Sequence, residues 1–464
     1  MDFFIAIVQE KRPIAFQKPP LSDDRAALYD ENMTVASEPI SVVTGSGDPH
    51  ADLSPAEMRN ILREALGTVP TGSSVLAIVA DKTRDDNTDV LFPAAGEILA
   101  ERGIEKLDVL IAQGTHQPMT DTEKRAKIGA VGIGIAGLRH IFDHDWADPR
   151  KLTTIGQLDA ARINELSAGL MDSAISLRVN QLLKKGLYDT VLVFGTTMPH
   201  EVAGFSGGAK YFFPGVSGPE LTHATHWLGA LASIEKIIGR VETPPRHLFE
   251  AAADFIPAKI ISLNSVVSRD NGWLRTHALF CGDFRRAMRQ AAAISRHVHI
   301  KYTGRKYKRV VALLDSHYDD LWVGGKASYR LGPIIEEAGA LIIYAPHLTT
   351  ISETHGSLIK RYGYAPLERV RELVSQSEEL RQNLCVAAHL AHVSFAGKRL
   401  HDGTIVPRYS ITLASAVDQT TCEQVNLRYM DPRTFRLSDY TGDPDALVVE
   451  HAGRDLYLVE PLEN

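Results

Sequence analysis

Short, continuous apolar runs recur along the first half of the chain, and a polar cluster follows each of them. The runs are SVLAIV at residues 74–79, LDVLIA at 107–112 and TVLVFG at 190–195. Runs of this kind are typical of strands that are buried on both faces of a parallel sheet. Helical patterns lie between them, and the first, at residues 54–66, begins with a serine N-cap followed by proline. The alternation predicts an α/β protein with a doubly wound sheet.

The polar clusters supply the candidate chemistry. The first run leads into DKTR at residues 81–84, the second into a Gln-Gly-Thr sequence that ends at His116, and the third into a long segment at residues 200–226. In open parallel sheets, ligands bind outside the carboxyl ends of the strands. We therefore expect the three clusters to converge on one site.

A second unit of the same kind begins after a basic stretch. Its apolar runs VVALLD and ALIIYAP flank a polar turn and a helical pattern, and after residue 400 the sequence becomes β-rich. We predict two domains, each with a largely parallel sheet flanked by helices, and an active site in the cleft between them. The predicted divisions are 1–305, 306–400 and a β-rich C-terminal extension at 401–464. Other predicted elements are a strand at 41–43, a helix that ends near residue 102, a helix with a capping box that begins near residue 120, and a helix at 283–295.

Composition narrows the class of protein. The chain has 464 residues, of which 44% are hydrophobic and 23% charged, and its net charge is −7 with a pI near 6.2. This balance gives no electrostatic reason to expect binding to nucleic acid or to an anionic membrane. The three cysteines lie far apart without a CxxC pair, which favours a reducing compartment, and we expect a cytoplasmic protein. We expect neither a secretory signal nor a membrane-spanning segment.

The segment at residues 200–226, HEVAGFSGGAKYFFPGVSGPELTHATH, is rich in glycine and histidine. Glycine-rich backbone is costly to order, so such a loop usually exists because a ligand approaches the backbone. One interpretation is a phosphate site in which Ser206, Gly207 and Gly208 act as donors and Lys210 supplies charge. The sequence does not match a P-loop, however, because Lys210 is followed by tyrosine rather than by Ser or Thr.

Several residues permit more than one interpretation. His116 and His200 are candidate acid/base residues because imidazole titrates near neutral pH, although a histidine in a turn is often only structural. Lys210 could contact a phosphate, form an imine with a carbonyl, serve as another covalent tether, or be a surface lysine. His223 and His226 lie three residues apart, but two imidazoles without a carboxylate or thiolate are an incomplete zinc set.

Other candidates are weaker. Asp81 and Arg84 could bind an anion or form a solvated turn, and His144 with Asp145 could be metal ligands or turn residues. We expect HYDD at 317–320 to be a turn. The chain has no GxSxG elbow and no GxGxxG after a strand, which argues against a Ser-His-Asp hydrolase and a freely bound dinucleotide.

In combination, the motifs resemble the nickel-dependent lactate racemase family. Their order is DKTR, AQGTH, PHEVAGFSGGAK and FPGVSG, followed by a final histidine at position 226. The glycine-rich segment of that family reads H-x-x-A-G-[FY]-S-G-G-x-K and is followed by P-G-V-x-G and a histidine. The resemblance covers most of residues 70–345 and rests on four ordered motifs, each of which is weak alone.

The resemblance implies an unusual cofactor. The family uses a nickel-pincer nucleotide, a pyridinium-3,5-bisthiocarboxylic acid mononucleotide that holds nickel through S, C and S. Lys210 would be its covalent tether and His226 the protein ligand of nickel, while Ser206, Gly207 and Gly208 would donate to the nucleotide phosphate. Dedicated biosynthetic proteins would have to supply this nucleotide.

The resemblance also implies a reaction, the racemisation or epimerisation of a 2-hydroxy acid. His116 and His200, on opposite faces of the substrate, would exchange the hydroxyl proton while hydride passes between C2 and the nucleotide through a 2-oxo acid. Asp81 would orient His116, and Arg84 would bind the substrate carboxylate or the nucleotide phosphate. The first domain, residues 1–305, would bind the cofactor.

The second domain, which would clamp the substrate, departs from the family pattern. Family members have Leu-Tyr-Gln-x-x-Lys, whose Gln and Lys reach the substrate carboxylate, whereas here Lys326 stands but Trp322 and Val323 replace Tyr and Gln. A Gln-Trp-Gln signature is likewise reduced to QNL. Losing one hydrogen bond to the carboxylate would cost about 1–3 kcal/mol. We therefore predict a substrate other than lactate, either a larger 2-hydroxy acid or a sugar acid, with room left by Gly324 and Gly325.

Two alternatives stay open. One is an enzyme, such as a pyridoxal-phosphate enzyme, that forms an imine at Lys210. The other is a non-catalytic homologue that binds nickel or a ligand, although a binding protein needs no pair of opposed bases at His116 and His200. The oligomeric state does not follow from the sequence.

Overall fold

The computed structural model of the chain describes residues 42–104, 106–270 and 272–462. The first 41 residues of the predicted first domain lie outside this range. The predicted strand at residues 41–43 also begins outside it, and the first described strand is at Val43–Gly47.

The strands of the described residues form two main sheets and several two-stranded ones. They are β1 (Val43–Gly47), β2 (Ser74–Ala80), β3 (Lys106–Ala112), β4 (Leu138–Phe142), β5 (Leu152–Leu158), β6 (Ile175–Asn180), β7 (Thr190–Thr196), β8 (Pro199–His200), β9 (Gly204–Phe205), β10 (Lys259–Asp270), β11 (Trp273–Gly282), β12 (Ile300–Tyr302), β13 (Tyr307–Leu313), β14 (Ile335–Ala345), β15 (Gly397–Arg399), β16 (Ile405–Pro407), β17 (Ser410–Ser415), β18 (Arg428–Met430), β19 (Ala446–Val449) and β20 (Leu456–Leu458).

The α-helices lie between these strands and cover the two sheets. They are α1 (Pro55–Leu66), α2 (Thr88–Glu101), α3 (Asp121–Lys127), α4 (Ala160–Leu166), α5 (Pro219–Leu231), α6 (Pro244–Ala253), α7 (Phe284–His299), α8 (Leu321–Gly324), α9 (Lys326–Leu331), α10 (Gly356–Tyr362), α11 (Leu367–Gln376), α12 (Glu378–Gln382), α13 (Leu384–Ser394) and α14 (Gln419–Gln424).

Several helix starts are set by local sequence. Ser54 caps α1 and Thr120 caps α3, and in each case the glutamate three residues later completes a capping box, as predicted for Thr120. Helix α2 ends at Glu101, one residue before its predicted end. Helix α7 begins after Asp283, whose side chain accepts from two backbone N–H groups, and it extends one turn beyond the predicted end to His299.

The larger sheet has the order β1-β11-β10-β7-β2-β3-β4. Strands β10, β7, β2, β3 and β4 are parallel, whereas β11 pairs antiparallel with β1 and β10. Alternate residues of β2 enter two different cores: Val75, Ala77 and Val79 pack with α1 and α2, and Leu76 and Ile78 pack with α5 and α6. Because both faces are covered by helices, the strand is apolar at nearly every position rather than at every second one.

The smaller sheet has the order β18-β17-β14-β13-β19, and all its strands are parallel. The runs VVALLD and ALIIYAP contribute to β13 and β14, as predicted. The residues after 400 are β-rich, as predicted, and their strands β17, β18 and β19 pair within the sheet of β13 and β14 rather than forming a main sheet of their own.

The predicted α/β class, with largely parallel sheets flanked by helices, is confirmed. The domain boundaries at 305 and 400 stay predictions. Along the described ranges, no helix is both long and apolar enough to cross a bilayer. The cytoplasmic location stays a prediction.

Strand β7 ends against the glycine-rich segment, and one glycine makes this approach possible. The backbone N–H of Thr196 donates to the hydroxyl of Tyr211 at 3.1 Å. A Cβ atom added to Gly195 would overlap the ring of Tyr211. The position of Tyr211, and with it the backbone next to Lys210, therefore depends on the absence of a side chain at Gly195.

We expect Gly195→Ala to lower the free energy of unfolding by about 1–3 kcal/mol, because the added methyl group displaces the ring of Tyr211. Urea denaturation followed by circular dichroism measures this change. The matched control is Gly134→Ala, where the added Cβ would have nothing within 4 Å and the change should stay below about 0.5 kcal/mol. Equal stability of the two variants would contradict the argument.

Candidate active site

The carboxyl ends of β2, β3 and β7 meet at one edge of the larger sheet and open onto a cavity of about 130 Å³. The three polar clusters converge there, as expected for neighbouring parallel strands. Residues from α8, α9 and α13 line the cavity from the side of the smaller sheet. The predicted site residues that line it are Asp81, Arg84, His116, His200, Ser206, Lys210, His226, Trp322 and Lys326.

His116 is oriented by Asp81. The carboxylate Oδ2 of Asp81 lies 2.6 Å from Nδ1 of His116, and its Oδ1 accepts from the backbone N–H and the hydroxyl of Thr83. Burial by itself would raise the pKa of Asp81, but His116, Thr83 and Arg84 together hold that pKa below its usual range. Asp81 is therefore ionised and accepts the Nδ1 proton, which leaves the Nε2 lone pair of His116 free to act as a base.

His200 has the opposite tautomer. It is 5% exposed, and its Nδ1 accepts a hydrogen bond from the backbone N–H of Val202 at 3.1 Å. Burial, followed by the charges of Lys210 and Arg84, lowers the pKa of His200 well below its usual value, so the imidazole is neutral. Its one proton is therefore on Nε2. The carboxylate Oε2 of Glu201 lies 3.6 Å from Nδ1.

Two lysines of the cavity wall have lowered pKa values. Burial, followed by the positive charge of Arg84, lowers the pKa of Lys210 and of Lys326 to about 7. A large fraction of each amine is thus neutral at neutral pH, and the neutral amine is the nucleophilic form. Neither lysine is the exposed surface residue that the alternative interpretation of Lys210 requires, since both line the cavity.

His226 has one ring nitrogen, Nε2, that is available to bind a metal ion. It lies on α5, and its Nδ1 donates to the carbonyl oxygen of Thr222 at 2.8 Å. Burial lowers the pKa of His226 to about 4, so the ring is neutral and its lone pair is on Nε2. A metal-binding histidine commonly donates its other N–H to a backbone carbonyl in this way. His223 does not share this role, because it lies outside the cavity lining and its Nδ1 accepts from the backbone N–H of Cys385.

The structure does not bring Gly207 and Gly208 into the cavity lining. The N–H of Gly208 donates to Oδ1 of Asn264 at 2.9 Å, and the hydroxyl of Ser206 donates to the carbonyl oxygen of Thr196 at 2.7 Å. Gly207 has a φ of 93°, which favours glycine, and an added Cβ would meet Thr197. The donor groups of Ser206 and Gly208 are thus engaged in hydrogen bonds within the protein, and the N–H of Gly208 is not free to bind a phosphate. The role of these residues as phosphate donors stays a prediction.

Arg246 supports this segment through hydrogen bonds, and its role was not predicted from the sequence. Its guanidinium is fully buried and donates to the carbonyl oxygens of Gly207, at 3.1 Å, and Phe205. Burial lowers the pKa of Arg246 to about 10. An arginine in an amphipathic helix such as α6 is most often exposed, so the residue type alone does not indicate this buried role. Its buried contacts hold the loop between His200 and Lys210 in place.

Other side chains in the cavity lining were also missed. They are Glu201, Tyr329, Cys385, His389 and His392. Burial raises the pKa of Cys385 to about 12, so this thiol is neither a nucleophile nor a thiolate ligand at neutral pH. A usable signal was present in the sequence, since HLAH at 389–392 places two imidazoles on one side of an otherwise apolar helix.

The weaker candidates have structural roles. His144 is fully buried, donates from Nε2 to the carbonyl oxygen of Ser217 at 3.0 Å, and accepts from Asn180 at 3.3 Å. A turn at 316–317 overlaps the start of the expected turn at 317–320, and Asp320 caps α8. Throughout residues 42–104, 106–270 and 272–462, no three His, Cys, Asp or Glu side chains come together as a metal site.

The expectation that Gly324 and Gly325 leave room for a substrate is wrong. A Cβ atom on Gly324 would lie 3.1 Å from the side chain of Leu314, and one on Gly325 would lie 2.8 Å from Val393 and 3.3 Å from Cε1 of His389. The space beside these glycines is filled by protein, because Leu314 and Leu348 lie against Gly324 and helix α13 lies against Gly325.

Comparisons with known proteins place this chain among relatives. Residues 58–237 match the family described as the lactate racemase N-terminal domain. Over 175 residues the chain is 26% identical to a lactate racemase of Thermoanaerobacterium thermosaccharolyticum, in an alignment that covers 38% of this chain and 37% of that protein. The match therefore spans well under half of the length of this curated relative.

Solved structures extend the likeness to most of the chain. The crystal structure of a protein from Thermotoga maritima is 30% identical and has a TM-score of 0.80, with coverage of 89% of this chain and 99% of that one. The lactate racemase apoprotein of Thermoanaerobacterium thermosaccharolyticum is 16% identical and has a TM-score of 0.65, with coverage of 90% and 100%, which shows a shared fold. The part of the chain at residues 58–237 therefore belongs to the lactate racemase family, and the chain as a whole shares the fold of the lactate racemase apoprotein.

We expect Lys210 to react with acetic anhydride at unusually low pH, because its pKa is lowered to about 7. Trace acetylation between pH 6 and 10, read by peptide mass spectrometry, should give half-maximal labelling of Lys210 near pH 7. The same peptide in urea-unfolded protein is the control and should follow the ordinary lysine pKa of about 10.4. Half-maximal labelling of the folded protein near pH 10 would show that the amine is not desolvated.

Proposed function

We propose that the chain is an isomerase, a racemase or epimerase that inverts C2 of a 2-hydroxy acid with the help of a covalently tethered nickel-pincer nucleotide. The observation that carries this proposal is the combination of side chains that line one cavity. They are two histidines with opposite tautomers, a lysine whose pKa is lowered, and a third histidine whose Nε2 is available to bind a metal ion. Membership of the lactate racemase family supports the reaction class.

The residues present fit such a nucleotide. Lys210 offers a partly neutral amine for attachment, and His226 offers an Nε2 lone pair for nickel. One protein ligand is sufficient, since the nucleotide itself would provide three donors to the metal. When bound, it supplies a reversible hydride acceptor for C2 of the substrate.

The protein moves the hydroxyl proton. His116 presents a free Nε2 lone pair, and the Asp81 carboxylate stabilises the imidazolium that forms when this nitrogen accepts the proton. Asp81 is 4% exposed, so water screens this interaction little. His116 is therefore the residue that can act as a base without any rearrangement of its hydrogen bonds.

His200 would serve the opposite face of the substrate. Its neutral ring carries the proton on Nε2 and can donate a hydrogen bond to the substrate oxygen. To accept a proton there, the ring must move its own proton to Nδ1, where the N–H of Val202 now donates and the carboxylate of Glu201 lies 3.6 Å away. We infer that Glu201 stabilises this second tautomer, as Asp81 does for His116.

Arg84 and Lys326 are the cations available for the substrate carboxylate. Arg84 offers a guanidinium with a fork of N–H donors, and an anion beside Lys326 would raise the lowered pKa of that lysine and keep it protonated. Trp322 and Val323 line the same part of the cavity, where they replace the hydrogen-bonding pair of the family pattern. The natural substrate is therefore proposed to be a 2-hydroxy acid other than lactate.

The lowered pKa of Lys210 also supports one competing function. A lysine pKa of about 7 also suits imine formation at Lys210, as in a pyridoxal-phosphate enzyme. Such an enzyme would have a visible absorbance band that borohydride removes. A non-catalytic homologue that binds nickel would need neither His116 nor His200 for its function.

We expect protein co-produced with the enzymes that make the nucleotide to have a nucleotide-sized adduct on Lys210 and about one nickel per chain. Peptide mass spectrometry and metal analysis of the same sample measure both. Lys210→Ala should lose the adduct, whereas His226→Ala should keep it and lose nickel, because only the metal ligand is removed. An unmodified Lys210 under these conditions would favour the imine or binding alternative.

We expect His116→Ala and His200→Ala to lower kcat by about 10²–10⁴-fold while nickel stays bound, because each removes an acid/base group. The assay is chiral chromatography of a panel of 2-hydroxy acids that includes lactate. His247→Ala is the control, since His247 is 42% exposed and lies outside the cavity lining. Lactate as the best substrate would overturn the substrate proposal, and full activity of either variant would remove that histidine from the mechanism.

A further inference from the structure

Helix α13 forms one wall of the cavity with polar side chains. The helix is buried along its whole length, yet Cys385, His389 and His392 all line the cavity. Their spacing of four and three residues places them on one face of the helix. An apolar helix of this kind needs no histidine for packing, so the two imidazoles of this wall call for another explanation.

The ring of His389 is held in place. It lies 4.1 Å from the ring of Trp322, and Tyr364 contacts it edge-on at 5.8 Å between ring centroids. The backbone of Gly325 closes a further side, since an added Cβ there would lie 3.3 Å from Cε1. His389 therefore presents its polar atoms in a fixed direction, as a recognition residue must.

Each of the two imidazoles has a buried ring nitrogen that lacks a hydrogen-bond partner in the described part of the chain. His389 and His392 are 7% and 4% exposed, and the Nε2 atom of each is buried without a hydrogen-bond partner among the residues that the structure describes. Buried polar atoms are almost always hydrogen-bonded, so two such atoms on one cavity wall indicate that a ligand is their partner. His392 packs edge-on against Tyr329 at 6.4 Å.

The charge state of this wall selects the kind of ligand group. Burial lowers the pKa of His392 to about 4, and burial with His392 and His355 lowers that of His389 well below its usual value. A neutral imidazole offers one N–H donor and one lone pair. A hydroxyl group, which also donates and accepts, matches this pair better than a carboxylate or an ammonium group does.

The indole of Trp322 packs against two imidazoles. The ring centroid of His389 lies 4.1 Å from it and that of His355 lies 4.3 Å from it. These contacts leave less of the indole for a ligand to stack on, so the hydrogen-bonding groups of the α13 wall are the better candidates for recognition on this side.

We propose that His389 and His392 are specificity-determining residues that bind a hydroxyl group on C3 or a later carbon of the substrate, which is therefore a polyhydroxy acid. This inference rests on the proposed function, since it names the substrate class of the same site. His355, which also packs against Trp322, does not line the cavity and takes no part in this recognition.

The test compares two acids of equal carbon number, 2,3,4-trihydroxybutanoate and 2-hydroxybutanoate. Calorimetry on the full-length protein measures their binding, and chiral chromatography with cofactor-loaded protein measures their inversion. We expect the wild-type protein to prefer the trihydroxy acid by about tenfold or more, because an acid without the extra hydroxyls leaves the imidazoles unpaired. His389→Leu and His392→Leu should each reduce this preference about tenfold.

Two further variants serve as controls. His389→Gln keeps a donor and an acceptor and should retain part of the preference, whereas a purely structural role would make it as damaging as leucine. His355→Leu removes an imidazole that packs on the same indole and should leave the preference unchanged. Thermal denaturation checks the fold, and if a leucine variant does not fold, the wild-type protein and His389→Gln decide the question.

Each outcome separates the inference from the proposed function. Equal binding of the two acids by the wild-type protein, or an unchanged preference in both leucine variants, overturns the inference even if the loaded protein inverts 2-hydroxybutanoate. Loss of nickel from the leucine variants would assign the imidazoles to the cofactor and overturn it as well. If the protein binds the trihydroxy acid preferentially but the loaded protein inverts neither acid, the proposed function is wrong. The inference that His389 and His392 bind a hydroxyl group of the ligand is then retained.

Discussion

The parallel pairing of β7, β2 and β3 is the constraint on which the site depends. Because these strands are neighbours with the same direction, the residues that follow them emerge side by side at one sheet edge. Asp81 and His116 are 35 residues apart in sequence, yet their side chains lie 2.6 Å apart because β2 and β3 are in register up to their last residues. A change of register by one residue would separate the side chains of this pair.

This arrangement also has an electrostatic consequence. Three cationic side chains, Arg84, Lys210 and Lys326, line one cavity, and the pKa values of both lysines are lowered to about 7. Since the folded-state pKa lies below the ordinary value of about 10.4, the unfolded chain binds more protons between these two pH values. The lysines therefore destabilise the fold fully below about pH 7, and this cost shrinks as the pH rises toward 10. An anionic ligand would offset this loss of stability. The same cationic side chains that destabilise the fold therefore favour the binding of a carboxylate or phosphate.

The sequence predicted the parts of this molecule that follow from local pattern. The buried strands were evident as apolar runs, and the convergence of their polar ends followed from the general behaviour of parallel sheets. Arg246 could not be predicted, because its role comes from two carbonyl groups of a loop about 40 residues away. Gly324 and Gly325 were misread for the same reason: a glycine leaves space only if nothing else fills it. Here Leu314 fills the space beside Gly324, and Val393 of α13 fills the space beside Gly325.

Under the proposed function, the α13 wall compensates for the departures from the family pattern. Trp322 and Val323 stand where the family pattern has two groups that would bind a carboxylate, and the indole packs against the rings of His355 and His389. The replacement therefore changes the neighbours of the substrate as well as its carboxylate contacts, because the indole fixes His389 at the cavity surface. Under the proposed function, the loss of hydrogen-bonding groups on α8 and their presence on α13 belong to one rearrangement, in which polar recognition moves from the charged end of the substrate toward its carbon chain. This coupling would allow a chain that keeps the candidate acid/base residues His116 and His200 to accept an acid other than lactate.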